Sequence, residues 1–205
     1  MTNVEAQPQG TAPEPQPLRW FALRVFNNRI QQVKEELEAL GVRTYQALRT
    51  TTLTHDGKPL TRNGRPVTRQ IQLAPSLLFV HWDASRLKEF KQQHFTELML
   101  YRKSGSQEPA PIPDREMEMF ILVTTAGDGS DPGALQLLEP APFDFKPGEK
   151  VRVIEGPFKG AEGIIRRIKK DRKLLVAVQG VVVVAISHIP AAFLERLPAS
   201  GENSI

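Results

Sequence analysis

Residues 146–163 read KPGEKVRVIEGPFKGAEG. Lys150 to Ile154 alternate charged and apolar side chains, the period-two pattern of a half-buried strand. Gly156-Pro157 breaks the alternation, and Gly160 and Gly163 permit a tight return and a close backbone approach. Downstream, Glu162–Ile168, Lys173–Val178, Val181–Ile186 and Phe193–Leu197 are further short β-type runs. Five strands packed into so little chain predict a small barrel. Val181 to Val184 is apolar on both faces. Core packing is the default reading of that run, and an exposed edge that pairs with a partner is the sharper one.

Upstream, strands alternate with helical patterns. Trp20 to Phe26 predicts a central strand, with Asn28 as cap of the helix that follows. Ile30, Val33, Leu37 and Leu40 share one helical face, and Gly41 ends the helix. Strands follow over Val42–Leu48, Thr68–Leu73, Leu77–Trp82 and Leu98–Arg102. Helices are expected over Ser85–Phe95, with Leu87, Phe90 and Phe95 inward, and over Asp114–Thr124, with Met117, Phe120, Ile121 and Val123 buried. This pattern predicts an α+β fold, helices on a mostly antiparallel sheet. Between the strands lies a polar segment, 51–66, with two hairpin signals, Asp56-Gly57 and Asn63-Gly64. It reads as a projecting β-arm carrying Lys58, Arg62 and Arg65.

Composition divides the chain in the same places. Residues 19–104 carry 15 basic and 7 acidic side chains, 105–145 carry 1 and 8, and 146–198 carry 11 and 5. Two basic blocks on either side of an acidic connector fit two modules that face polyanions. GDGSDPG and EPAP within 125–145 are linker chemistry. Residues 1–17 are rich in Pro and Gln and read as a disordered tail, and 199–205 as a second tail. The expected order is therefore tail 1–17, α+β domain 18–124, linker 125–145, barrel 146–198 and tail 199–205.

There is no cysteine, which excludes disulfides and thiolate metal sites and is compatible with a reducing, cytoplasmic setting. No apolar run reaches the length of a membrane helix, so no membrane association is expected. His55, His81, His94 and His188 have neither metal-ligand nor nucleophile spacing, and no phosphate loop or dinucleotide fingerprint is present. The reading is a non-enzyme without metal or cofactor.

The 146–163 stretch resembles the KOW motif at Val151, Val153, Gly156, Pro157, Phe158, Gly160 and Gly163. RWFALRV at 19–25, APSLLFV at 74–80 and PAPIPDREMEMF at 109–120 resemble the N-terminal (NGN) domain of the NusG family. The resemblance covers roughly 18–198. It implies an α+β NGN domain joined by a flexible linker to a small SH3-like KOW barrel.

What the resemblance implies for function is transcription elongation or antitermination. The NGN domain would bind the RNA polymerase clamp helices through an apolar depression, here at Leu77, Phe79, Met117, Phe120 and Ile121. Arg24, Asn27 and Arg29 would lie over non-template DNA. Apart from the resemblance, Lys58, Arg62 and Arg65 sit among two hairpin turns with few apolar neighbours and are expected to be exposed and to reach DNA or nascent RNA. The KOW domain would meet the ribosome or the Rho terminator, and the protein would act as a monomer. Three departures stand out. Ala74-Pro75-Ser76-Leu77 replaces the usual Phe-Pro-Gly-Tyr, Lys88-Glu89-Phe90 stands where some paralogues have His-Thr-Thr, and Pro113 replaces a common Ser. The two lost aromatics, the polar tail and the 51–66 arm favour a specialised paralogue similar to the UpxY antiterminators of polysaccharide operons. The alternatives are a housekeeping NusG or an RNA-binding ribosomal-type KOW protein. Gly and Pro in the barrel segment, with the valine run, predict that it stays β. The accompanying expectation is a barrel free on its linker, with the polymerase site open.

Overall fold

The apolar strand RWFALRV is strand β1 (Arg19–Val25), and it lies inside a four-stranded sheet. The computed structural model describes residues 17–56, 58–94, 97–126, 135–138, 149–168 and 171–198. After β1 come α1 (Ile30–Ala39), β2 (Arg43–Tyr45), β3 (Leu48–Thr52), β4 (Thr54–His55), β5 (Lys58–Pro59), β6 (Thr61–Arg62), β7 (Arg65–Pro66) and β8 (Thr68–Gln72). Then follow β9 (Leu77–Trp82), α2 (Ala84–Gln93), β10 (Leu98–Leu100) and α3 (Asp114–Ala126). The sheet order is β10-β1-β9-β2, antiparallel throughout, with Ala22 opposite Phe79 and Leu23 opposite Leu78.

Alternation along β1 and β9 gives this sheet two apolar faces. Phe21, Leu23, Val25, Leu78 and Val80 bury against Ile30, Val33 and Leu37 of α1 and Leu87 and Phe90 of α2. Trp20, Ala22, Leu77 and Phe79 bury on the opposite face, with α3. Asp83 caps α2, its carboxylate accepting from the Ser85 and Arg86 amides. Helix α1 departs from expectation. Its N-cap is Arg29, with no side-chain cap bond, because Asn27 and Asn28 both adopt positive φ, 58° and 55°. Leu40 is 62 % exposed, since the helix ends before it and Gly41 turns the chain away. Phe26, expected in the strand, lies just beyond it and is 41 % exposed. Phe95 lies outside the described residues.

The second half contains β11 (Leu135–Leu138), β12 (Glu149–Val153), β13 (Glu162–Ile168), β14 (Asp171–Val178), β15 (Val182–Ile186), a 3₁₀ turn at Ala191–Phe193 and β16 (Leu194–Arg196). Their order is β11-β15-β14-β13-β12-β16, all antiparallel. The valine run of β15 is paired on both edges and buried on both faces, so core packing accounts for it. Gly163 sits where β13 passes β14 closely. A Cβ there would stand 2.3 Å from the Leu175 carbonyl oxygen, so no larger residue fits without a shift of backbone.

The two halves do not stand apart. One buried cluster joins Phe79, Met117, Phe120 and Val123 to Val151, Phe158, Leu174, Val176 and Ile186. The expectation of a barrel free on its linker is therefore corrected. The barrel is β as expected, but it is docked on the first domain. Part of the expected linker, Leu135–Leu138, is strand β11, because its apolar residues complete an otherwise open edge of β15.

Candidate functional site

Helix α3 is central to the candidate site, and its sequence explains its packing. DREMEMFILVTTA is apolar on more than one face, which marks a helix covered from both sides. Met117, Phe120 and Val123 are fully buried toward the sheet. The Phe79 and Phe120 rings lie 5.0 Å apart, and Tyr45 meets Phe120 edge-on at 6.1 Å. Thr124, buried nearby, donates its hydroxyl proton to the Phe120 carbonyl at 2.7 Å. The Tyr45 hydroxyl, 2.6 Å from Thr124 Oγ1, therefore acts as donor to it.

The other face of α3 meets the barrel. Arg115 Nη2 lies 2.6 Å from Glu162 Oε2 on β13. Glu162 also accepts from Arg152 of its own barrel, at 2.7 Å from Nη2 and 2.8 Å from Nε. Glu116 Oε2 accepts the Gln179 amide at 2.9 Å, and the Glu162 amide approaches Met119 Sδ at 3.4 Å. Arg115, hydrogen-bonded to Glu162, holds that carboxyl below its ordinary value. Partial burial opposes the shift and Arg152 adds to it. The same bond raises the Arg115 guanidinium in turn. Beside these contacts lies a cavity of about 450 Å³, lined by Arg115, Glu116, Met119, Lys150 and Glu162 among others. A smaller cavity, about 180 Å³, separates Arg24, Leu77 and Tyr101 from Leu137, Leu138 and Val182.

The expected polymerase-facing residues fall into two groups. Leu77, Phe79, Met117 and Phe120 are brought together, but as buried packing between sheet and α3. Ile121 alone is partly exposed. The reading of the sequence missed Arg115, Glu116, Met119 and Leu122, which occupy the outer part of the helix. The signal was present: with Met117, Phe120 and Val123 assigned inward, Met119 and Leu122 remained as apolar side chains on another face.

The expected nucleic-acid residues lie in two places. Arg24 and Asn27 are exposed near the end of β1. Arg29 is beside them, its Nη1 2.6 Å from Glu97 Oε1. Lys58, Arg62 and Arg65 are exposed on the arm. The arm is a ribbon of β3 paired with β8, ending in two small hairpins, β4–β5 and β6–β7. Asn63 and Gly64, at φ 53° and 74°, make the tight turn that this dipeptide favours. Among the described residues, no group of three or more His, Asp or Glu is placed to hold a metal ion. None of the described helices is long and apolar enough to cross a membrane.

The KOW residues occupy the β12–β13 connection. Val151, Val153 and Phe158 point into the core, Gly156-Pro157 turns the chain, and the Gly160 amide donates to the Val153 carbonyl at 2.8 Å. Comparison with known proteins matches residues 147–184 to the KOW motif and residues 18–121 to the family described as transcription termination factor NusG. The transcription termination/antitermination protein NusG of Pseudomonas aeruginosa is 36 % identical over 75 residues, 36 % of this chain and 37 % of that protein. The protein of the same description from Borreliella burgdorferi is 39 % identical over 77 residues, 37 % of this chain and 39 % of that protein. These matches span less than half the length of either relative. The family match covers half of the chain, an NGN-type domain precedes a KOW barrel, and the chain belongs to the NusG family of transcription termination and antitermination factors.

Proposed function

We propose that this protein is a transcription elongation and antitermination factor that engages RNA polymerase through the NGN domain. The surface used is the outer face of α3 together with the neighbouring edge of Leu77 and Ile121. The observation that supports this reading is the apolar outer face of α3, where Met119 and Leu122 are partly buried and lie against Glu162 and Gly160 of the second domain. A partner helix pair needs an apolar surface with a polar rim, and Arg115 and Glu116 supply the rim. Phe79, Met117 and Phe120 shape that surface from beneath. Polymerase and barrel therefore compete for α3, and binding requires the barrel to move aside.

Arg24, Asn27 and the exposed Phe26 ring, at the adjacent end of β1, face the DNA strand that crosses the bound domain. Once released, the KOW barrel is available to the ribosome or to Rho. Within the family we favour a specialised paralogue acting on long operons. The supports are the arm and the Ala74-Pro75-Ser76-Leu77 turn, which lacks both aromatics of the usual sequence.

The test is binding of the full chain to core RNA polymerase, beside a Glu162→Lys variant. Lysine there faces Arg115 and Arg152, so the docked state is weakened while α3 is unchanged. We expect the variant to bind several-fold more tightly. Failure of both folded proteins to bind would overturn the reading.

A further inference from the structure

The arm is built from a repeat. Leu53-Thr54-His55-Asp56-Gly57-Lys58-Pro59 is followed at once by Leu60-Thr61-Arg62-Asn63-Gly64-Arg65-Pro66, and Val67-Thr68-Arg69 begins a third unit. The first residues of the units are tied in a closed ring. Leu53 N donates to Val67 O, Leu60 N to Leu53 O, and Val67 N to Leu60 O, each at 2.8 Å. Two hairpins and the stem thus meet at one hydrogen-bonded junction, which fixes their relative placement although the arm has almost no apolar core.

Each unit sets its third and sixth residues directly across a hairpin. His55 pairs with Lys58, and Arg62 pairs with Arg65. In the second hairpin this sets two guanidinium groups opposite one another, and like charges so placed across two strands oppose folding. Here that opposition is not relieved internally. Lys58, Arg62, Arg65 and Arg69 are exposed and make no ion pair with any described residue. Between Arg43 and Trp82 the chain carries five Lys or Arg and a single acid, Asp56, which sits against His55 at 3.4 Å. A rigid array of uncompensated cations is complementary to a polyanion of regularly spaced charge.

The rest of the arm narrows the ligand. No Phe, Tyr or Trp occurs between Tyr45 and Phe79, and His55 is the single aromatic ring on the arm, so the arm lacks the row of aromatic side chains on which successive unstacked bases lie. The stem is a two-stranded ribbon, a shape that the major groove of B-form DNA admits and the deep, narrow groove of A-form RNA does not. Pro59 and Pro66 remove backbone donors from the short outer strands, which disfavours strand pairing with another protein. We propose that the arm, residues 48–72, is a binding site for the phosphate backbone of double-stranded DNA, with Lys58, Arg62, Arg65 and Arg69 as its contacts. The inference is independent of polymerase docking, and its test contains no polymerase.

The experiment measures fluorescence anisotropy of the full chain with a labelled 20-base-pair DNA duplex over a series of salt concentrations. It is repeated with single-stranded DNA of the same length and with duplex RNA. The variant replaces Lys58, Arg62, Arg65 and Arg69 by Gln. A charge-matched control replaces Arg166, Arg167, Arg172 and Lys173 of the barrel by Gln. Each phosphate contact contributes about 0.9 to the slope of log affinity against log salt. The arm variant should therefore flatten the slope by about 3–4 and lose at least about tenfold in affinity at low salt, and the control should not. The smaller variant Arg62→Gln/Arg65→Gln removes a repulsive pair and so favours folding, and should flatten the slope by about 2. An unchanged slope in both arm variants, an equal loss in the control, or tighter binding of single-stranded DNA or duplex RNA would overturn the proposal.

Discussion

Arg115 on α3 and Glu162 on β13 form an ion pair at 2.6 Å that joins the two domains. It does not act alone. Glu162 is shared with Arg152, and Glu116 holds the Gln179 amide one residue further along the helix. Arg115 is well exposed, so the pair itself contributes little to overall stability. Its role is orientation, placing β13 and β14 over Met119 and Leu122. The apolar contact beneath supplies the larger part of the docking energy.

The docked state should weaken in acid. Glu162 is held below 4.5 by Arg115 and then Arg152, so the folded form binds its proton less readily than the unfolded chain does. Its stabilising contribution is complete above the ordinary carboxylate range and is lost as pH falls through the lowered value. NMR signals of the Met119 methyl and the Gln179 backbone amide should move toward undocked positions as pH falls below the ordinary carboxylate range. In Glu162→Gln they should already be shifted at pH 7. Signals independent of pH in both proteins would show that the ion pair does not hold the domains.

Phe120 and Met119 should behave oppositely although they are adjacent. Phe120 is fully buried between sheet and helix, and Phe120→Ala should cost about 3–5 kcal/mol, read as a large fall in the NGN melting temperature. Met119 packs against the barrel, so Met119→Ala should leave the NGN melt nearly unchanged and loosen the domains. Small-angle scattering would register that loosening as a larger radius of gyration. Equal effects on the melt would mean the two faces of α3 are not distinct.

Ser76→Gly should stabilise the protein. The turn Ala74-Pro75-Ser76-Leu77 closes with the Leu77 amide on the Ala74 carbonyl at 3.2 Å. Pro at the second position and φ 68° at the third make it a type II turn, which asks for Gly where Ser stands. Relieving a left-handed Ser gains about 1–2 kcal/mol. The greater freedom of unfolded Gly returns about 0.5–1 kcal/mol. Chemical denaturation should show a net gain of about 0.5–1 kcal/mol, and a loss would contradict the strain argument.

Gly163→Ala should do the reverse in the barrel. The added methyl would meet the Leu175 carbonyl at 2.3 Å and Leu174 Cδ1 at 2.9 Å. Parting β13 from β14 should cost about 1–3 kcal/mol, as overpacking does elsewhere. Since β14 also faces α3, the variant should disturb the docked interface as well as the barrel melt.

Much of this protein was determined by local sequence. The alternation in Lys150–Ile154, the breaks at Gly156-Pro157 and the short β-type runs that follow specify a barrel because a half-buried strand needs a period of two. The face of α1 through Ile30, Val33 and Leu37, the hairpin at Asn63-Gly64 and the boundaries of β9 followed from side-chain periodicity and turn chemistry in the same way. Local rules failed where residues distant in sequence compete for one surface. Asn28 has the chemistry of a cap, but the backbone takes a left-handed path set by the neighbouring strand end. Leu135–Leu138 reads as linker until the open edge of β15 is in place to pair with it. Docking of the barrel on α3 was legible only as surplus apolar residues, Met119 and Leu122, with no indication of what would cover them. Burial removes apolar surface from water without regard to which segment supplies the cover. The partner of that face was therefore decided by the tertiary structure, through shape and the placement of Glu162 opposite Arg115.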